Sequence, residues 1–581
     1  MGMTTEGLSY WQAESEGIDL LDTTIGDLLD RRAAEIPTQE AVVYSCYPEF
    51  GEALALRWTY QEYRDRANQV AKGLLALGLS KGDHIAVWAV NLPEWLLLEM
   101  AAAKAGLVLV TVNPVLHVAE IEYILKQGDV QALFLMAKIR DHDCLATVRS
   151  LTTPGTQLGA VSSKRLPMLR YVSLLGAPPA GLLEQEGWRP TLFQEMVAGG
   201  TQVSEEERGV RQASVQPGDP VQIQYTSGTT GFPKGAILHH HGILNNAMLF
   251  ARRWGLCQSD RYCNPLPFFH TGGCVVAVLG SLSAGCTLHP LLAFDPLKAL
   301  QVISHERCTI FFAVPTMLLA TLQHADFATA DLSSLTKVCC AGAPVPVYLM
   351  EQVKERIGAD VAIGFGQTET SPAITLTLPD DPFERRATTV GVPLPHTEVK
   401  IIHPATSEIV PCGERGELCC RGYLVMAGYY HMPAKTAETI DAEGWLHTGD
   451  LATMDAQGYV NIVGRLKDMV IRGGENLFPA EIEAFLIRHP KVAGVQVVGV
   501  PDAFFGEELL AVIITKAGEQ LAEQELREYC RGQISHQKTP RYFQFVESYP
   551  LTASGKVQKF VLRERAIKTL GLEDVAKMKT A

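Results

Sequence analysis

Apolar residues recur every three or four positions from 20 to 36 (Leu20, Leu21, Ile25, Leu28, Leu29), the spacing of a helix with one buried face. A second helix is predicted from Thr59 to Leu77, ended by Gly78. His84–Val90 is a short unbroken apolar run and reads as a strand. Pro93 suits the first helical turn and Gly106 the position past the last, so a helix is predicted from Pro93 through Ala105, with a strand at Leu107–Val112 behind it. Strand, crossover helix, strand is the signature of a parallel sheet covered by helices. The alternation returns at 130–136, 170–174, 221–225 and 309–313, without an internal repeat. The stretch 152–165, with its Thr, Gly, Ser and Lys, reads as a surface loop.

The pattern changes at about 387. Short β-rich runs broken by Gly (Glu398–Ile402, Gly416–Cys420, Gly458–Val463) predict a small antiparallel or barrel-like subdomain over 387–465. After Arg465 comes a compact α+β pattern: a helix starting near Pro479, strands at Val492–Val500 and Leu509–Thr515, and a helix at 522–531. The expected fold is therefore α/β. A large N-terminal domain of doubly wound sheets (1–466) carries the β-rich subdomain, and a small α+β domain (467–581) follows, with the boundary at Leu466–Lys467.

Composition narrows the function. The 581 residues, 47% apolar and 20% charged, exclude a disordered, collagenous or coiled-coil chain. Lys and Arg total 50 against 64 Asp and Glu, a formal charge of −14, which repels nucleic acid and anionic membranes. The 13 Cys form no C-x-x-C pair, and Cys339–Cys340 and Cys419–Cys420 are strand neighbours that point to opposite faces. They read as reduced, buried thiols of a cytoplasmic protein. No run of about 18 apolar residues predicts a membrane span. Glu6, Glu14, Glu16 and Asp19 do not suit a targeting peptide, Glu6 stands where a myristoylation signal wants Ser or Thr, and the last three residues, Lys-Thr-Ala, are not a peroxisomal signal.

The densest chemical signal is Tyr225-Thr-Ser-Gly-Thr-Thr-Gly-Phe-Pro-Lys-Gly235, directly after a predicted strand. Thr226, Ser227, Gly228, Thr229, Thr230 and Gly231 are small or hydroxyl-bearing, so backbone N–H groups lie bare. Such a loop wraps phosphate oxygens, with Lys234 adding charge. It is not a P-loop, because Gly235 follows the Lys where Ser or Thr is required. Five further segments follow in order: Pro267-Phe-Phe-His270, Gly364-Phe-Gly-Gln-Thr-Glu-Thr370, Thr448-Gly-Asp450, Gly464-Arg-Leu-Lys-Asp468 and Leu551-Thr-Ala-Ser-Gly-Lys556. On these six motifs the chain resembles the adenylate-forming superfamily of acyl-CoA synthetases, adenylation domains and beetle luciferases, over nearly its whole length. Among relatives it looks most like bacterial medium- or long-chain fatty acyl-CoA ligases, including Ile471-Arg-Gly-Gly-Glu-Asn476.

The resemblance implies ATP, Mg2+ and CoA as cofactor and co-substrates. Gly364, Phe365, Gly366, Gln367 and Thr368 end an apolar strand at the carboxyl edge, where ligands lie in open α/β sheets. Glu369 beside a triphosphate suits Mg2+, and the family assigns it that role. Gly342, Ala343 and Pro344 resemble the segment against adenine. Asp450 and Arg465 would hold ribose and phosphate oxygens. Lys556 would bridge the substrate carboxylate and the α-phosphate, where charge develops. Lys467 falls at the family's hinge, so the C-terminal domain is implied to be mobile. Gly473, Gly474 and Glu475 resemble the segment presented for thioester formation, with glycines that let a pantetheine arm pass. His270 would line the path between acyl and thiol sites. Thr226, His270, Glu369 and Lys556 are the candidate catalytic residues.

His239-His-His241 reads as a strand-to-helix junction, because three consecutive side chains diverge too far to share one ion. The acyl pocket is expected along His241–Phe250, Ala341–Pro344 and Thr370–Thr375, mostly small or apolar, which favours an aliphatic or aromatic monocarboxylate. A short-chain or aryl acid-CoA ligase and an acyl-adenylate ligase loading a carrier protein stay open. Retention of Glu369, Asp450, Arg465 and Lys556 together argues against a non-catalytic nucleotide-binding regulator. The resemblance also allows a homodimer.

Overall fold

The computed structural model describes residues 7–47, 56–155, 158–179, 182, 189–226, 233–472, 475–551 and 557–576. Its contacts form two compact units. The first is chiefly Gln12–Glu398 with Cys420–Leu446; the second is Thr4–Trp11 with Val399–Cys419 and His447–Ala581.

Two sheets build the first unit. One has eight strands in the order Thr191–Leu192, Tyr171–Leu175, Val130–Met136, His84–Trp88, Val108–Val112, Pro220–Thr226, Lys234–His239, Gly428–Tyr429. Its first six strands are parallel, and the last two join by antiparallel pairing. The other has nine, in the order Val392–Pro393, Ala373–Leu376, Asp360–Gly366, Lys337–Ala341, Ile310–Ala313, Arg261–Asn264, Thr287–Pro290, Glu40–Tyr44, Leu56–Thr59. Six central strands are parallel, and antiparallel strands close both edges.

Strands covered on both faces read as unbroken apolar runs. In His84–Trp88 every residue is buried; Ile85 and Val87 enter one core, Ala86 and Trp88 the other. The helix Pro93–Ala105 is apolar nearly all round and buried at every residue but Glu94, the mark of an interior helix. Pro93 opens it, and Gly106 ends it at φ 64°, a left-handed conformation glycine adopts without penalty.

In the second unit, five strands run in the order Tyr10–Gln12, Thr397–Ile402, Gly416–Gly422, Leu446–Met454, Val460–Arg465. A Cβ on Gly458, in the turn between the last two strands, would lie 2.5 Å from the Trp11 ring. The two edges of the sheet therefore curl toward each other, as the barrel-like expectation anticipates, with an N-terminal strand the sequence pattern does not announce. Beyond it, the antiparallel strands Val492–Asp502 and Gly506–Thr515 carry Val470–Arg472 with Glu475–Leu477 and, in parallel, Tyr542–Phe545. Helices Pro479–Leu486, Glu523–Cys530 and Lys559–Thr569 complete the α+β pattern.

The compact units follow contacts rather than chain order: Val399–Cys419 and His447–Arg465 of the β-rich stretch group with the C-terminal residues, and about as many of its residues group with the first unit. Arg415 contributes to this, with its guanidinium 3.4 Å from Glu481 and 5.0 Å from the Phe478 ring centre. Several element bounds differ from the sequence expectation. The first helix starts at Ile25, not 20, because Thr24 caps it by accepting from the Asp27 N–H. The strand at His84 ends at Trp88. The stretch 152–165 contains a small hairpin, Thr153–Pro154 against Val161–Ser162. All 13 cysteines are free, ten of them buried. Among the described residues no helix is long and apolar enough to cross a membrane.

Candidate active site

The strand Pro220–Thr226 turns back as Lys234–His239, placing Thr226 opposite Lys234. Ser227, Gly228, Thr229, Thr230 and Gly231 lie outside the described residues. The Thr226 hydroxyl lies 3.3 Å from Glu369 Oε1 and 3.4 Å from the Lys234 carbonyl. Glu369 sits in a tight turn, Thr368–Thr370, directly after the strand Asp360–Gly366, and is 9% exposed.

Tyr429 completes the cluster. It lies on the short edge strand Gly428–Tyr429, opposite Ala236. Its hydroxyl donates to Glu369 Oε1 at 2.8 Å and accepts from Lys234 Nζ at 2.8 Å. The same ammonium stands 3.9 Å from the Tyr429 ring centre, a cation–π contact. Burial, then the Glu369 charge, pushes the Tyr429 hydroxyl well above its ordinary pKa, so it stays a donor at neutral pH. Ammonium, phenol and carboxylate thus form one hydrogen-bonded relay at the foot of the glycine- and hydroxyl-rich loop. Tyr429 belongs to none of the six motifs, and the one signal for it in the sequence is the aromatic pair after Gly428 in a short β-like run.

The turn that carries Glu369 is closely fitted. A Cβ on Gly366 would lie 1.9 Å from the Pro372 carbonyl oxygen, so the position admits only glycine. The Gln367 N–H donates to the Pro372 carbonyl at 2.9 Å and lies 3.2 Å from Thr370 Oγ1. Gly364 stands opposite Ala341 on the neighbouring parallel strand. Gly342 (φ 83°), Ala343 and Pro344 follow Ala341 at that same carboxyl edge and are exposed, while Phe365 is half-buried. This edge is where the doubly wound rule places a ligand.

The strand Arg261–Asn264 stops before His270, which lies in the turn that enters a π-helix, Gly272–Leu279. Its Nδ1 accepts from the Gly272 N–H at 3.2 Å, and its carbonyl accepts from Cys274 Sγ at 3.4 Å. π-helical turns are rare and cluster at functional sites. His239 caps the helix His240–Trp254 through the Gly242 N–H, and His240 Nδ1 accepts from Ile25, so the histidine run is a strand-to-helix junction.

In the second unit Asp450 and Arg465 stand opposite each other on paired strands. Arg465 Nε is 2.8 Å from Asp450 Oδ1; the Asp450 side chain is 4% exposed and Arg465 46%. The Asp450 N–H donates to Thr448 Oγ1 at 3.1 Å, and Gly449 takes φ 70° to make the bend. Lys467 lies in the turn Leu466–Asp468, and Glu475 begins the strand Glu475–Leu477. Gly473, Gly474 and Lys556 lie outside the described residues.

A family model described as AMP-binding enzyme matches residues 29–430, and one described as AMP-binding enzyme C-terminal domain matches 481–556. The Bacillus subtilis (strain 168) protein provisionally named acyl-CoA synthetase YngI is 46% identical over 95% of this chain and 99% of its own length. The medium-chain acyl-CoA ligase ACSF2, mitochondrial, of Macaca fascicularis is 40% identical over 97% of this chain and 90% of its own. Among solved structures, the anthranilate CoA ligase AuaEII in complex with anthranoyl-AMP superposes with a TM-score of 0.81 at 28% identity, covering 96% of this chain and all of that one. Matched along most of its length, with the relay of Lys234, Tyr429 and Glu369 at its sheet edge, the chain belongs to the AMP-binding enzymes of the adenylate-forming superfamily, as an acyl-CoA synthetase.

Proposed function

We propose that this ATP-dependent, AMP-forming acid–thiol ligase takes a medium- or long-chain fatty acid. In the first half-reaction the acid's carboxylate oxygen attacks the α-phosphorus of ATP, and pyrophosphate leaves. In the second, the CoA sulfur attacks the acyl carbonyl, the thiol proton goes to solvent, and AMP leaves. A free carboxylate is a poor electrophile, and the mixed anhydride supplies the leaving group it lacks.

The observation that carries the reading is the Glu369 relay. A nearly buried carboxylate held by Thr226 and Tyr429 cannot swing away, and Lys234 stands one hydroxyl from it. Phosphate oxygens entering there meet a fixed cation and fixed hydroxyls, with little reorganisation as charge shifts to the leaving pyrophosphate. Among the described residues the two hydrogen bonds to the Glu369 carboxylate fall on Oε1, and a carboxylate among hydroxyls is the hard-oxygen donor set Mg2+ takes together with phosphates and water. Glu369 would hold that ion, which when bound neutralises phosphate charge. Asp450 and Arg465 are assigned to the ribose, Gly342–Pro344 to adenine, Lys556 to the first half-reaction, and Gly473, Gly474 and Glu475 to the second, with Lys467 as the hinge. A fatty acid is favoured by the apolar lining expected along the helix His240–Trp254 and by the medium-chain acid in the name of ACSF2. Thirteen unbridged cysteines suit the reducing cytoplasm.

The test is AMP formation on a panel of straight-chain acids of increasing length and aryl acids, with and without CoA. The reading expects AMP only with CoA present in turnover amounts, and best with medium or long chains. AMP made only with aryl acids, as the likeness to an anthranilate CoA ligase would allow, overturns the fatty-acid assignment. Lys556→Ala should abolish adenylate formation yet spare thioester formation from supplied acyl-adenylate; equal loss of both rejects the division of labour.

A further inference from the structure

Among the described residues, one group of three metal-ligating side chains lies outside the nucleotide machinery described above: Glu417 and Cys419 on one strand and His447 on its neighbour. Residues two apart on a strand share a face, so Glu417 and Cys419 point the same way and His447 joins them from alongside. Their donor atoms lie within 4.8 Å of one another. His447 Nδ1 is 3.0 Å from Glu417 Oε2 and 3.6 Å from Cys419 Sγ.

Two features separate this from an ordinary hydrogen-bond pair. The first is convergence. A ring nitrogen has a single in-plane direction, carrying either a proton or a lone pair. It can serve one partner well, yet a carboxylate and a thiol both close on it. A cation placed among the three satisfies all of them at once. The second is spacing. At Zn–S of about 2.3 Å and Zn–N or Zn–O of about 2.0 Å, a tetrahedral angle sets S and N about 3.5 Å apart and N and O about 3.3 Å apart. The observed 3.6 and 3.0 Å need only small adjustments, and the third pair, Cys419 Sγ with the Glu417 carboxylate, lies within 4.8 Å and would close toward about 3.5 Å.

We propose that Glu417, Cys419 and His447 form a binding site for a divalent cation of the zinc class. A set of one sulfur, one nitrogen and one oxygen suits Zn2+ and not the all-oxygen ions Mg2+ or Ca2+. Cys419 is fully buried and Glu417 nearly so, while the His447 side chain is 27% exposed, leaving the fourth position toward solvent. On loading, the Cys419 S–H bond breaks, the proton goes to solvent and a metal–sulfur bond forms. Neutral His447 gives its Nδ1 lone pair and carries its proton on the other nitrogen. Glu417 is oriented for the role, since its Oε1 accepts from the Gly449 N–H at 3.1 Å. The Thr448 hydroxyl donates to the Leu418 carbonyl at 2.7 Å, so the segment Thr448–Asp450 is tied on both sides to the strand that supplies two ligands. A bound cation would therefore clamp the two strands that position Asp450.

The experiment titrates Co2+, then Zn2+, into the full chain and reads absorbance. The expected result is one Co2+ per chain with a near-ultraviolet thiolate-to-cobalt charge-transfer band and intense tetrahedral visible bands, all displaced by Zn2+. Cys419→Ser should erase the charge-transfer band and weaken Zn2+ by about 100-fold or more, beyond what loss of an orienting partner costs. Cys420→Ser, one residue along and on the opposite face, should keep the band. Should Cys419→Ser fail to fold, Glu417→Gln serves instead: it retains a carbonyl oxygen for Gly449 and should weaken Co2+ at least tenfold. A native chain without the band, a band that survives in Cys419→Ser, or unchanged affinity in Glu417→Gln overturns the site.

Discussion

Replacing Tyr429 with Phe removes one oxygen and leaves the ring, so the change isolates a single relay. The lost hydroxyl donates to Glu369 Oε1 at 2.8 Å and accepts from Lys234 Nζ at 2.8 Å. Hydrogen bonds to charged groups contribute about 1.5–3 kcal/mol each. The two sides are not equal. Lys234 is only half-buried and keeps its cation–π contact with the Phe ring. Glu369 is 9% exposed and, among the described residues, keeps the longer Thr226 contact at 3.3 Å, so the loss falls mainly on the carboxylate. The net cost is therefore about 1.5–3 kcal/mol. If Tyr429 holds Glu369 and Lys234 for the triphosphate, that cost appears in the transition state. The kcat/KM for pyrophosphate release should then fall roughly 10- to 150-fold at about 1.36 kcal/mol per decade. The assay is pyrophosphate release with ATP and a fatty acid across ATP concentrations, with thermal unfolding of the same samples. A kcat/KM within twofold of the parent, with the whole cost appearing as a lowered Tm, would refute the reasoning and assign the hydroxyl to the fold alone.

Two further outcomes follow from buried groups and close contacts. Glu306 accepts from Arg57 at 2.5 Å and from Arg261 at 2.6 Å; burial alone would raise its carboxyl, but the Arg57 hydrogen bond and charge hold it at about 2 against an ordinary 4.5. The folded state thus gains stability above pH 4.5 and loses it as the pH falls from there toward 2. With Arg57 half-exposed and screened, the gain is about 1–2 kcal/mol, so between pH 5 and pH 3 the Tm should fall less in Glu306→Gln than in the parent; parallel Tm–pH curves would contradict the pairing. Gly366→Ala should lower the Tm by an amount equivalent to about 1–3 kcal/mol and raise the KM for ATP, because the new methyl meets backbone at 1.9 Å and the turn bearing Glu369 must shift; an unchanged Tm would mean the turn gives way freely.

Much of the fold was legible in local chemistry. The helix Pro93–Ala105 is marked at both ends by residues with a conformational reason to be there, and the strand Val130–Met136 is an apolar run of strand length. The strand Asp360–Gly366 and the carboxylate just past its end stand in one short segment, so the position of Glu369 at a sheet edge is legible locally. What was hidden depends on partners far along the chain. Tyr429 enters the site only because Gly428–Tyr429 pairs with Lys234–His239, some 190 residues earlier. Glu417, Cys419 and His447 meet through strand neighbourhood that no local window contains. Tyr10–Gln12 joins a sheet built from the other end of the sequence. The π-helix Gly272–Leu279 was invisible because its residues are apolar on every side and carry no period. The first helix starts later than its apolar period for the opposite reason: the period runs on through the capping Thr24.

The two-residue edge strand has a practical reach. Gly428 and Tyr429 close the antiparallel side of the eight-stranded sheet and supply the hydroxyl between Lys234 and Glu369. A truncated gene product ending near 387, where the apolar pattern changes, would leave the backbone groups of Ala236 and Ile237 without their partners and offer a raw margin for self-association. A fragment meant to keep this sheet whole must include Gly428–Tyr429, and because Gly416–Gly422 neighbours Leu446–Met454 and that strand neighbours Val460–Arg465, it must run past Arg465 as well.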